Sequence, residues 1–186
     1  MYPKELDTRK PKLTDWMTLF RKEYLSRVLD KLQELLDSHE EMYQTAGWYD
    51  GDFLLEDREE TLGFVFVACQ VFITGCIADS LGRIDKPAIS PDVKARIMKN
   101  APQFKGQRTK IELINAVANY YKHKDEGETS GSTKKILDGY NLLNKDFPIN
   151  EALTLITVDD KLETLKEYLL NWRNHLFNTL ESKAPQ

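Results

Sequence analysis

Apolar side chains recur at three- and four-residue steps along much of the chain, and that rhythm sets the elements. Between Leu13 and Gln44, residues Trp16, Leu19, Leu25, Val28, Leu29, Leu32, Leu35 and Leu36 follow the 3.6-residue period of an amphipathic helix, and Thr14 or Asp15 is placed to cap it. The stretch AGWYDGD breaks the pattern with Gly47 and Gly51. A second helix is predicted from about 56 to 81. Acidic residues crowd its first turn, where the helix dipole favours negative charge, and Gly82 suits its end. Its middle, LGFVFVACQVFITGCIA, is apolar on all sides, so other helices should surround it.

The remaining chain carries clearer start and stop signals. Ser90 followed by Pro91 predicts a short helix to Asn100, ended by Pro102. Thr109 caps a helix that runs into NAVANYYKHKDE, residues 115–126. DEGETSGS reads as a loop, TKKILDGYNLLNK as a short helix, and DFPINEALTLIT as irregular or briefly extended. Leu162, Leu165, Leu169, Trp172, Leu176 and Leu180 line the inner face of a long closing helix. The expected fold is all-α: an arm over residues 1–12, then a single helical domain over 13–186. That domain is a bundle of about five to seven helices around a hydrophobic central helix.

Composition narrows the function classes. With 186 residues and a net charge of −4, the chain has no global attraction for nucleic acid or anionic lipid, so any such site must be a local basic patch. The run from Leu62 to Ala78 falls short of the ~20 apolar residues a spanning helix needs, and no membrane partner is expected. The first residues lack the apolar core of a signal peptide, which predicts a cytoplasmic location. Cys69 and Cys76, two helical turns apart, are about 10 Å apart along the axis. That separation is too great for a disulfide, so both are expected as buried thiols.

Chemistry concentrates in NAVANYYKHKDE. On a helix, Asn115, Asn119 and His123 share one stripe, flanked by Glu112 and Lys122, with Ile111, Ile114, Val117, Ala118 and Tyr121 facing the core and Tyr120 at the boundary. Histidine shuttles protons near neutral pH, lysine holds a phosphate oxygen as a point charge, and tyrosine rings offer faces for bases. The same residues also suit an ordinary helix C-terminus, where cations are favoured by up to about 1 kcal/mol.

Asn119-Tyr120-Tyr121-Lys122-His123, on a late helix of an all-α bundle, resembles the motif of the HEPN superfamily, many of whose members are ribonucleases. That motif is an arginine, a polar residue, three variable residues and a histidine. Ala118 stands at the arginine position, so Lys122, Lys124 or Arg108 would have to supply the charge. The resemblance implies metal-independent cleavage or binding of RNA or a nucleotide, without a cofactor. His123 would be general acid/base, Asn119 would orient, Lys122 and Lys124 would neutralise phosphate, and Tyr120 or Tyr121 would stack on a base. It also implies a homodimer. A second partial copy, Arg173-Asn174, has Asn178 where the histidine belongs, and Arg173 is a further candidate if it approaches His123.

Two alternatives follow from other features. A non-catalytic helical interaction or dimerisation module fits the acidic, amphipathic pattern. A magnesium-dependent nucleotide pyrophosphohydrolase similar to the MazG type would use acidic pairs such as Glu56/Glu59 and Glu34/Asp37.

Overall fold

The structure, a computed structural model, describes residues 13–81, 89–104, 108–127 and 131–181. The N-terminal arm and Gly82 lie outside the described residues, as do the side chains of Thr14, Asp15, Trp16 and Leu180. Among the described residues there are seven α-helices: α1 (Leu13–Thr45), α2 (Gly51–Ser80), α3 (Pro91–Lys99), α4 (Lys110–His123), α5 (Gly131–Gly139), α6 (Pro148–Thr157) and α7 (Leu162–Glu181). The extended segments are β1 (Gln103–Phe104) and β2 (Arg108–Thr109), paired antiparallel. The fold is all-α, as the periodicity predicts.

The central helix begins five residues before the predicted Glu56. Asp50 is its cap: the carboxylate accepts from the amides of Asp52 and Phe53 at 3.0 and 3.1 Å. Gly51 is therefore the first helical residue rather than part of a break. Leu62, Val65, Phe66, Cys69, Ile73 and Ile77 of α2 are fully buried against α1, α4, α6 and α7. The helix is long and apolar enough to cross a membrane, but 67% of its apolar window is buried in the protein, which marks a core helix. Both cysteines are free and buried, and burial pushes the Cys76 thiol up to about 12.

Not every prediction for these helices holds. Phe64 and Val71 leave one side of α2 open to solvent, so the central helix is surrounded on only part of its circumference. Leu19 and Leu35 of α1, assigned inward by spacing, are exposed, whereas Leu25, Leu29 and Leu36 are buried. The 3.6-residue period gives a stripe, and packing uses only the half of it that faces α2 and α7.

Residues 148–157, expected to be irregular or extended, form α6. Phe147 at its N-cap makes no side-chain cap, and Pro148 takes the first position. The cap comes from α2: Glu59 accepts from the amides of Ile149 and Asn150 at 2.8 and 2.9 Å and from the Asn150 side chain at 2.8 Å. Val158, with φ 72°, ends the helix in the left-handed region.

Burial raises the Glu59 pKa above its ordinary 4.5, outweighing the lowering by the α6 amides. A folded-state pKa above the unfolded value means the folded chain holds the proton more tightly. The stability this group contributes is therefore present below the unfolded value and lost as pH rises through the folded one. Urea midpoints measured between pH 4 and 8 should show the wild type losing stability relative to Glu59→Gln as pH rises.

Candidate functional site

The helix that carries the candidate residues is fixed at its start by a reciprocal cap. The Thr109 hydroxyl accepts from the Glu112 amide at 3.1 Å, and the Glu112 carboxylate accepts from the Thr109 amide at 2.9 Å. Arg108 donates to the same carboxylate at 3.1 Å. Glu112, expected beside the polar stripe, is buried and belongs to this cap. Arg108 is thereby committed to the first turn of α4. About 20 Å of helix separates it from His123.

One helical stripe of α4 faces α2. At one end Tyr121 rests on Gly63, where an added Cβ would stand 2.1 Å from the ring. At the other, Asn115 meets Gln70. Ala118, three residues from each, is 0% exposed. Its small side chain suits the close approach of the two helices.

The polar cluster is organised by Gln70, a residue hidden from sequence reading inside the apolar run of α2. Lys122 has only donors, so its bond to Gln70 Oε1 at 2.8 Å fixes the orientation of that amide. Gln70 Nε2 then donates to Asn119 Oδ1 at 2.8 Å and Asn115 Oδ1 at 3.0 Å. Both asparagine oxygens are turned toward Gln70, which leaves their NH₂ groups pointing away from it. Burial, with the Lys122 ammonium nearby, lowers the pKa of Lys94 on α3. The cluster therefore brings the ammonium groups of Lys122 and Lys94 near two asparagines, a set suited to an anion.

His123 follows directly and is held by the next turn. Its side chain is 60% exposed, and Nδ1 lies 2.8 Å from Glu126 Oε2 in the turn Lys124–Glu126. With Nδ1 protonated and donating to that carboxylate, Nε2 is left as a base directed away from it. Asn119 lies one turn before it on the helix.

The other candidates are held in separate contacts. Lys124 pairs with Glu60 and sits 4.9 Å over the Tyr121 ring. Tyr121 donates to Glu60 at 3.1 Å and meets Phe64 edge-on at 5.4 Å, and burial with Glu60 pushes its hydroxyl up to about 12. Neither ring face of Tyr121 is presented as an open platform. Tyr120 is half-buried, and burial raises its pKa. Arg173 lies over Phe177 at 4.9 Å, bonds Asn174 at 2.8 Å, and is close enough to Cys76 to act on its thiol. Gly63, the α2 contact of Tyr121, is thirteen residues from Cys76, or about 20 Å along the helix. The two partial motifs are thus not brought together.

The acidic pairs are also engaged separately. Glu59 holds the α6 amides, Glu34 pairs with Lys31 at 2.7 Å, and Asp37 accepts from Gln33 at 2.8 Å. Among the described residues, no three His, Cys, Asp or Glu side chains converge as a metal-binding group.

No family model, curated protein or solved structure gave a match to the chain.

Proposed function

We propose that this chain is a HEPN-like helical protein that binds RNA phosphate and cleaves the phosphodiester without a metal. The observation that carries this reading is the Gln70-organised cluster, which gathers Asn115, Asn119 and Lys122 on the face of α4 toward α2 with Lys94 nearby. Lys122 and Lys94 supply the positive charge that the arginine of the resembled motif would provide. His123 accepts or returns the proton through Nε2 while Glu126 holds Nδ1. Asn119 links the two, lying on the Gln70 cluster and one turn before the imidazole. Lys124 and Tyr121 shape the adjoining surface rather than touching substrate.

The test is incubation of the purified protein with mixed-sequence RNA and with nucleoside triphosphates, each with and without EDTA. RNA cleavage that survives EDTA is expected, falling by about 100-fold or more in His123→Ala. Lys122→Ala should weaken RNA binding and flatten its salt dependence by about one phosphate contact. Magnesium-dependent release of pyrophosphate would shift the assignment to the acidic pairs. Turnover of neither substrate would overturn the catalytic proposal. The second reading, a non-catalytic interaction module, is supported by the open apolar face of α1 and α2.

A further inference from the structure

Helices α1 and α2 run antiparallel. Arg21 bonds Asp79 at 2.8 Å at one end of the pair, and His39 Nε2 lies 3.2 Å from the Thr61 hydroxyl at the other. On one side the seam between them is open. Phe20, Tyr24 and Val28 of α1 and Phe64, Val67 and Val71 of α2 line a cavity of about 530 Å³, within the ~300–1,000 Å³ range of small-molecule sites. Its lining on α1 extends from Phe20 to Leu32, about 18 Å along the helix, so the cavity is a trough. A second cavity of about 330 Å³ adjoins it. It shares Arg21 and Val71 with the first and adds Gln70, Thr74 and Gly75.

The polar groups of the second cavity are held in place. Asp79, a buried residue, accepts from Arg21 Nε at 2.8 Å and from Nη2 at 3.2 Å, which fixes the guanidinium plane. Nη1 rests against Gly75, where any Cβ would collide with it. Among the described residues, no acceptor is bonded to Arg21 Nη1 or to the Thr74 hydroxyl. Gln70 is committed at both ends of its amide, to Lys122 and to the two asparagines. Arg21 and Thr74 are therefore the donors left for a ligand.

We propose that the two cavities together bind a free medium-chain fatty carboxylate. Its alkyl tail lies along the apolar trough, and its carboxylate meets Arg21 Nη1 and the Thr74 hydroxyl. Two observations favour this occupant. The first is the order of chemistry along the seam, a long trough of rings and aliphatic groups that ends on two unused donors. The second is charge. The Cys76 thiol beside Gly75 is raised chiefly by burial and also feels Arg173, Asp79 and Arg21, two positive charges against one. Along α1, by contrast, Glu23 pairs with Arg27 and Lys31 with Glu34, so the border of the seam is balanced and lacks the basic rim of a bilayer-binding helix. The inference stands on the seam and does not depend on the RNA reading.

Calorimetric titration of the full chain with octanoate, decanoate and dodecanoate, each as monomers below micelle formation, tests it. Each buried CH₂ is worth roughly fourfold in affinity, so binding should tighten by about tenfold for every two carbons. Decanol should bind about tenfold or more weaker than decanoate, because it lacks the charge facing Arg21. Thr74→Val, which leaves the Arg21–Asp79 pair intact, should weaken decanoate by about fivefold and leave decanol unchanged. Val67→Trp should fill the trough and abolish binding of all three acids with unchanged far-UV circular dichroism. No binding of dodecanoate at about 1 mM overturns the proposal. So does decanol binding as tightly as decanoate, or dodecanoate binding that survives Val67→Trp. Flotation with phosphatidylcholine–phosphatidylserine vesicles in the absence of binding to monomeric dodecanoate would overturn it in favour of a bilayer.

Discussion

Ala118→Arg, which would restore the arginine of the resembled motif, should leave the chain without a cooperative thermal transition. Ala118 is fully buried on the α4 stripe that meets α2, between the contact of Tyr121 with Gly63 and that of Asn115 with Gln70. An arginine there adds volume to a closed packing site, which by itself costs about 1–3 kcal/mol. It also buries a guanidinium, at several kcal/mol more. The sum, on the order of 5 kcal/mol or more, is comparable with the whole stability of many domains. Circular dichroism melts of Ala118→Arg beside Ala118→Ser would check it, the serine variant being expected to retain a transition. A folded arginine variant with stronger EDTA-resistant RNA cleavage would show instead that position 118 opens onto the site. Ala118 is closed off by α2, so in the proposed reading the positive charge comes from Lys122 and Lys94.

Glu112→Ala should lower the melting temperature by about 5–16 °C. The side chain completes the Thr109 cap and is the acceptor for Arg108 in a buried setting. Losing a helix cap costs about 1 kcal/mol, and a charged hydrogen bond about 1.5–3 kcal/mol. For a chain of this length, each kcal/mol corresponds to roughly 2–4 °C. Glu112→Gln keeps an oxygen for the Thr109 amide but loses the charge facing Arg108, so its melting temperature should fall between the two. A similar loss in both variants would place the effect in the ion pair rather than the cap. Because the cap sets where α4 begins, the alanine variant should also weaken RNA binding at Lys122, thirteen residues from Thr109.

Local signals made much of the helical pattern legible. Ser90 and Pro91 open α3, and Thr109 opens α4, as their residue types predict. Leu162, Leu165, Leu169 and Trp172 are buried along α7 as their spacing requires. These features depend on residues within a turn or two of one another. The start of α2 was legible in principle, because Asp50 is a standard capping residue, but the glycines on either side masked it.

The candidate site was legible only in part. The spacing of Asn115, Asn119 and Lys122 placed them near one another, and the structure joins them through Gln70. A glutamine inside an apolar run gives no local sign of its partners, which lie forty-five to fifty-two positions away. The same holds for Glu59, which resembles any acidic residue in the first turns of a helix and instead caps α6 from ninety positions away.

The sequence by itself determined that the chain is helical and where α3 and α4 begin, and it pointed to the end of α4 as the candidate site. Periodicity and capping are interactions between near neighbours, so they survive in the linear order. Only the tertiary structure decided which side chains meet. It buried Ala118, turned the asparagine oxygens toward Gln70, committed Arg108 and Arg173 elsewhere, and left the seam of α1 and α2 uncovered. Those outcomes depend on how helices distant in the chain pack together, and no local pattern of residues specifies that.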